Sequence, residues 1–153
     1  MLEHDTSSRI RVLVVDDFAD GRDLLQEYLA LRGFAVHVAC GGAEAIEITR
    51  RVRPAIVLMD LGMPGIDGWE AARRITNDPE LRGIVVIGVT AHAFASDTDA
   101  AIKAGCEAVI CKPFDITALA DALPGFLNAA APTPDFPGFR SDNTAGPVFP
   151  ETV

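Results

Sequence analysis

Five short, apolar, largely β-branched runs recur along the chain, at residues 11–15, 35–39, 55–59, 84–89 and 108–111. Each is near-continuously apolar rather than alternating, the pattern of strands covered on both faces. Segments of helical period follow them at residues 20–31, 43–51, 69–76, 97–104 and 115–123. The first places Leu24, Leu25, Tyr28 and Leu31 on one face and runs into Gly33, a residue suited to ending a helix. Repeated β–α units predict an α/β protein with a five-stranded parallel sheet and helices on both faces. In the last helix the apolar pattern (Leu119, Leu123, Phe126, Leu127) is crossed by Pro124 and Gly125, so the helix should end or kink there.

Composition narrows the class. The chain has 153 residues, the size of one domain with a self-sufficient core, and its net charge is −9. That sign disfavours a nucleic-acid binder, which needs a basic face to displace counterions from phosphates. Cys40, Cys106 and Cys111 are an odd number without paired spacing and read as small apolar residues, not a disulfide framework. No apolar run approaches the length of a membrane span, and residues 1–8 are polar and acidic, unlike a signal peptide. A cytoplasmic protein is expected. Residues 1–8 are expected to be disordered, residues 9–130 to fold, and residues 131–153, which hold five of the ten prolines, to form a disordered tail. Phe136, Phe139 and Phe149 in that tail could dock on a partner or simply be solvated. No effector domain is expected after residue 130.

In parallel α/β sheets, ligands bind beyond the carboxyl ends of the strands. Strand 1 ends in Asp16 and Asp17, strand 3 in Asp60, strand 4 in Thr90, and strand 5 in Lys112 followed by Pro113. Taken singly, these are a helix cap, a loop acid, a strand-end hydroxyl and a solvated charge. Taken together, three converging carboxylates repel unless a cation sits among them, and hard oxygen donors favour Mg²⁺ over zinc.

Asp16-Asp17, the stretch Asp60-Leu61-Gly62-Met63-Pro64-Gly65-Ile66-Asp67-Gly68, Thr90-Ala91 and Lys112-Pro113-Phe114 resemble the receiver domain of two-component response regulators, in order and over residues 9–130. The chain as a whole is similar to stand-alone, chemotaxis-type members. The resemblance implies a flavodoxin-like (βα)5 fold. It implies that Asp60 accepts a phosphoryl group from a phosphohistidine on a sensor histidine kinase or phosphotransfer protein. It implies Mg²⁺ held by Asp17, Asp60 and the Gly62 carbonyl, with Asp16 acting through a metal-bound water. Thr90 would bind a phosphoryl oxygen. Lys112 would pair with Asp60 before transfer and with the phosphoryl group after it. The Lys112–Pro113 peptide is a candidate cis bond. His92 would tune hydrolysis, or simply stand exposed at a helix start.

One position departs from the family pattern. Val109 stands where many members carry an aromatic ring, so a threonine–aromatic relay cannot operate here, and the output face of helix 4, strand 5 and helix 5 is put in question. The expected function is a phosphorylation-controlled switch, not an enzyme, that binds an unidentified downstream protein. Two other classes compete. An aspartyl-phosphate-forming phosphatase or phosphotransferase of the haloacid-dehalogenase kind would carry its nucleophile on strand 1 with a second Asp two residues later, whereas here the acceptor is on strand 3 and position 62 is Gly. A phosphorylation-independent adaptor would have no use for Asp60, Thr90 and Lys112.

Overall fold

The structure is a computed structural model that describes residues 9–63, 68–91, 95–127 and 139–141; for residues 95–98 and 139–141 it describes the backbone only. Six strands form one sheet in the order β2-β1-β3-β4-β5-β6. The first five are β1 (Arg11–Val15), β2 (Ala35–Ala39), β3 (Ile56–Asp60), β4 (Val85–Thr90) and β5 (Ala108–Cys111), all parallel. Helices α1 (Ala19–Leu31), α2 (Gly42–Val52), α3 (Gly68–Asn77), α4 (Ala95–Lys103) and α5 (Ile116–Ala122) alternate with them. The 2-1-3-4-5 order is the flavodoxin-like one, and it reverses direction between β1 and β3, where such folds place their ligands.

Side chains along each strand point alternately to the two faces, and the core divides accordingly. Leu13, Val15, Val57, Met59, Val86 and Val109 pack under α2, α3 and α4. Val12, Val14, Ile56, Leu58, Ile87 and Ile110 pack under α1 and α5. Continuous burial of β1 and β3 explains why they read as apolar runs. Leu13, Leu29, Ile56, Leu58 and Leu119 are fully buried, and truncating any one to Ala should cost about 2–5 kcal/mol.

Two expectations change. On α1 the core stripe is Leu25 and Leu29 with Tyr28 half-buried, while Leu24 is 62% and Leu31 85% exposed. The apolar face expected there spans two neighbouring stripes, and only one meets the sheet and α5. At the other end of the chain, residues 139–141, expected within a disordered tail, form strand β6 (Phe139–Ser141), antiparallel to β5. The ladder is made by backbone groups, so it leaves little trace in composition. The rest of that tail and residues 1–8 lie outside the described residues.

The predicted break at Pro124 is present. After Ala122 the helix tightens into a 3₁₀ turn over Leu123–Leu127, which accommodates the missing proline N–H. Gly33 ends α1 with φ of 97°, a conformation that a side chain would strain.

Candidate functional site

Each strand of the sheet's centre delivers one group to the same edge. Val15 closes β1 and hands the chain to Asp16 and Asp17. Asp60 is the last residue of β3 and Thr90 the last of β4. Lys112 directly follows β5, and its backbone N–H donates to the Thr90 carbonyl at 2.7 Å, which ties the ends of β4 and β5 together. The Lys112–Pro113 peptide is cis. Beyond it, Asp115 caps α5 by accepting from the N–H groups of Thr117 and Ala118 at 2.9 and 3.3 Å, and the Thr117 hydroxyl, which also donates to it, together with these bonds holds its carboxyl below the usual range.

Carboxylate oxygens of Asp16, Asp17 and Asp60 all lie within 4.8 Å of one another. Lys112 Nζ stands 3.4 Å from Asp16 Oδ2 and 3.4 Å from Asp60 Oδ2. Asp60 is buried, Asp16 half-buried and Asp17 exposed, so the cluster opens to water on the Asp17 side. The Phe18 N–H donates to Asp16 Oδ1 at 2.9 Å, and Arg22 donates to the Asp16 carbonyl at 2.9 Å. These bonds fix the turn from β1 into α1. The Gly62 N–H donates to Asp60 Oδ1 at 2.8 Å, which leaves Oδ2 as the oxygen shared with Lys112.

Burial raises the pKa of the Asp60 carboxyl above its ordinary value. The Gly62 N–H and the Lys112 ammonium pull it back, and Asp16 pushes it up again. A buried acid beside a second acid and a partly exposed cationic tip is a site short of positive charge. Three hard carboxylate donors around an open position suit a small divalent cation that keeps part of its water shell, so the residues present fit Mg²⁺.

Of the residues singled out from sequence, the structure brings Asp16, Asp17, Asp60 and Lys112 into one cluster and sets the buried Thr90 at its β4 side. Gly62 lies beside Asp60 through its N–H. Gly65, Pro64 and His92 lie outside the described residues. Gly68, the last residue of the Asp60–Gly68 stretch, is fixed by a close approach. A Cβ there would stand 1.9 Å from the Asp60 carbonyl oxygen and 2.7 Å from the Leu61 Cα. Only glycine lets the start of α3 close on the end of β3. Of the three free thiols, Cys106 behaves as a buried apolar residue, with burial pushing it up to about 12, whereas Cys40 is exposed and its thiol donates to Glu44 Oε2 at 3.2 Å.

Sequence reasoning passed over the apolar wall beside the acids. A cleft of about 570 Å³ runs from Asp16, Asp60 and Lys112 along α1 to the start of α5, lined by Phe18, Leu24 and Ile116. Phe18 is 64% exposed. The available signal was the set of apolar residues left over once Leu25 and Leu29 had filled the core.

A doubly wound sheet with carboxylates and a lysine at its carboxyl edge defines a class of α/β protein equipped for divalent-cation and phosphoryl chemistry. The response regulator receiver domain model matches residues 12–124, and the chain belongs to that family. Receiver domains are the phosphoryl-accepting signalling modules of two-component systems. The polar-differentiation response regulator DivK of Brucella anthropi is 32% identical over 119 residues, covering 78% of this chain and 97% of the relative. A LuxR-family two-component response regulator from Aurantimonas sp. superposes with a TM-score of 0.69 at 31% identity, over 78% of this chain and 86% of that one. The chemotaxis response regulator CheY4 of Vibrio cholerae gives a TM-score of 0.72 at 22% identity, over 77% of this chain and 98% of its own, a likeness of fold. No helix among the described residues is long and apolar enough to cross a membrane.

Proposed function

We propose that Asp60 is the phosphoacceptor of a cytoplasmic, phosphorylation-controlled switch that a downstream protein reads. The observation that carries this reading is the convergence of Asp16, Asp17 and Asp60 within 4.8 Å, with Lys112 Nζ 3.4 Å from two of them.

In this reading Asp60 Oδ2 attacks phosphorus in line. The bond between phosphorus and the donor's imidazole nitrogen breaks, and the imidazole leaves with the electron pair. A carboxylate is a weak nucleophile, but phosphoryl transfer asks chiefly for alignment and charge neutralisation. Asp16, Asp17, Asp60 and the Gly62 carbonyl would hold Mg²⁺, which supplies the charge that lets a dianionic phosphoryl group approach an acidic cluster. The Gly62 N–H keeps the Asp60 carboxylate from rotating. Lys112 releases Asp60 Oδ2 and takes a phosphoryl oxygen. Thr90 donates to a second phosphoryl oxygen, an interaction present only in the modified state, and that difference is what can shift a conformational population.

The donor would be a phosphohistidine on a sensor kinase or phosphotransfer protein. To reach Asp60 it must sit over the mouth of the cleft, so Phe18, Leu24 and Ile116 would form its apolar seat. The test is incubation with a small acyl phosphate, with and without Mg²⁺, followed by intact mass and peptide mapping. One Mg²⁺-dependent phosphoryl group on the peptide holding Asp60, absent in Asp60→Asn, is the expected result. Equal modification of the Asn variant would overturn the assignment.

A further inference from the structure

Strand β5 would be the free edge of the sheet if the chain stopped at α5. Its sequence, Ala108-Val109-Ile110-Cys111, holds no charge and no proline, two common devices by which natural edges avoid pairing with another chain. At the opposite edge β2 carries His37 at mid-strand. On β5 a covering strand takes that role. Residues 139–141 lie along it in antiparallel register, with Ser141 opposite Ala108, Arg140 opposite Val109 and Phe139 opposite Ile110.

The backbone polarity of β5 follows from its inner neighbour. The Lys112 N–H donates to the Thr90 carbonyl on the β4 side at 2.7 Å. Backbone groups alternate sides along a strand, so Ile110 and Ala108 also face β4, in keeping with their register opposite Val89 and Ile87, while the N–H and C=O groups of Val109 face outward. Arg140 stands opposite Val109 and takes the bonded position, with Phe139 and Ser141 at non-bonded positions. The covering strand therefore satisfies the outward groups of β5. The chain can reach. Eleven residues separate the end of the 3₁₀ turn at Leu127 from Phe139, enough for about 36 Å of extended backbone. The four residues of β5 span only about 13 Å.

We propose that β6 is a guard strand, held in cis on the edge of β5, that keeps this edge from pairing with the β5 of a second copy of the chain. The second copy is the occupant the edge fits best. An apolar strand with its outward groups centred on Val109 is self-complementary about a two-fold axis in antiparallel pairing, as an isologous dimer requires. Because Lys112 follows β5 directly, whatever pairs with this strand is held two residues from the acidic cluster.

Proline substitution in the full-length chain separates the readings. Arg140→Pro removes the ladder donor of β6 opposite Val109. Ser141→Pro removes an N–H that faces solvent, which an edge strand tolerates. Amide exchange at Ala108, Val109 and Ile110 would be read beside the mass in solution over a range of concentrations. The wild type and Ser141→Pro are expected to be monomeric, with Val109 protected independently of concentration. In Arg140→Pro that amide should exchange about tenfold faster at low concentration. It should regain protection as the chain dimerises at high concentration, while Ala108 and Ile110, which face β4, stay protected throughout. Unchanged exchange at Val109 in Arg140→Pro overturns the pairing. Faster exchange with no gain in mass at any concentration overturns the guard role, and so does a wild type that is already dimeric.

Discussion

Replacing Asp60 with Asn should make the metal-free protein more stable at neutral pH, although it removes the residue on which the proposed function depends. At an effective dielectric near 20, Lys112 at 3.4 Å offers the ionised carboxylate roughly 5 kcal/mol of attraction. Asp16, within 4.8 Å, returns at least about 3.5 kcal/mol of repulsion. The Gly62 N–H adds about 1 kcal/mol. The net gain, at most about 2–3 kcal/mol before the further, solvent-screened repulsion of Asp17, also within 4.8 Å, falls short of the several kcal/mol that burying a carboxylate costs. The upward shift of the Asp60 pKa, caused first by burial, has the sign this balance requires. Asparagine keeps the acceptor for the Gly62 N–H and drops the charge, so a gain on the order of 1–2 kcal/mol is expected, or roughly 3–8 °C in Tm.

The pH dependence supplies a second check. A carboxyl whose folded pKa lies above its unfolded value binds more protons in the native state, so stability falls as pH rises through that window. The wild type therefore carries its full penalty above the raised folded pKa and none below the ordinary value of 3.8. The advantage of Asp60→Asn should be complete at neutral pH in EDTA and should shrink toward zero as pH falls to that value. Urea melts at several pH values, with EDTA or with Mg²⁺, measure it. Mg²⁺ should narrow the gap by stabilising the wild type more. An Asn variant less stable than wild type at neutral pH in EDTA, or an advantage that persists unchanged at low pH, would refute the charge balance.

Three further outcomes test neighbouring parts of the site. Trp69, half-buried in the first turn of α3, should report Mg²⁺ binding by fluorescence, and Asp17→Ala should weaken that binding about tenfold or more; equal affinity would remove Asp17 from the ligand set. Leu24→Glu should leave acceptance from a small acyl phosphate intact while slowing transfer from a phosphohistidine protein about tenfold; an equal loss with both donors would mean that the substitution damages the acceptor and not the seat. Thr90→Ala should permit phosphorylation of Asp60 but uncouple it from partner affinity, whereas Val109→Ala should cost about 1–3 kcal/mol of stability and keep the coupling, and the reverse pattern would sink the Thr90 route.

The central strands were legible because burial on both faces leaves their interiors apolar, and the site was legible because chain order alone puts Asp16, Asp60, Thr90 and Lys112 at strand ends. Boundaries still moved. The apolar runs at residues 55–59 and 84–89 became strands Ile56–Asp60 and Val85–Thr90, so Asp60 and Thr90, expected at the strand ends, lie within the sheet, which helps to hold their backbones. What the sequence could not show depends on contacts across the chain. Whether Leu24 or Leu29 belongs to the core is decided by where α5 packs. The requirement at Gly68 arises from the carbonyl of Asp60, eight residues earlier, and no local turn preference reveals it. Strand β6 is held by main-chain groups, so its three side chains carry no alternation to read.

The absence of a ring at position 109 changes which part of the sheet can carry a signal. Val109 is buried opposite Gly88, on the face under α2, α3 and α4, and a small branched side chain packed there has no alternative position of comparable contact area. Backbone remains. Lys112 donates its N–H to the Thr90 carbonyl at 2.7 Å, so the two residues proposed to grip the phosphoryl group are already joined through the main chain where β4 and β5 end. Drawing either toward Asp60 must draw the other, and with it the end of β5. That strand is also the one β6 covers, with Phe139 opposite Ile110, two residues before Lys112. A displacement at the acidic cluster would therefore be felt at the covered edge by a route of hydrogen bonds that requires no side chain to rotate.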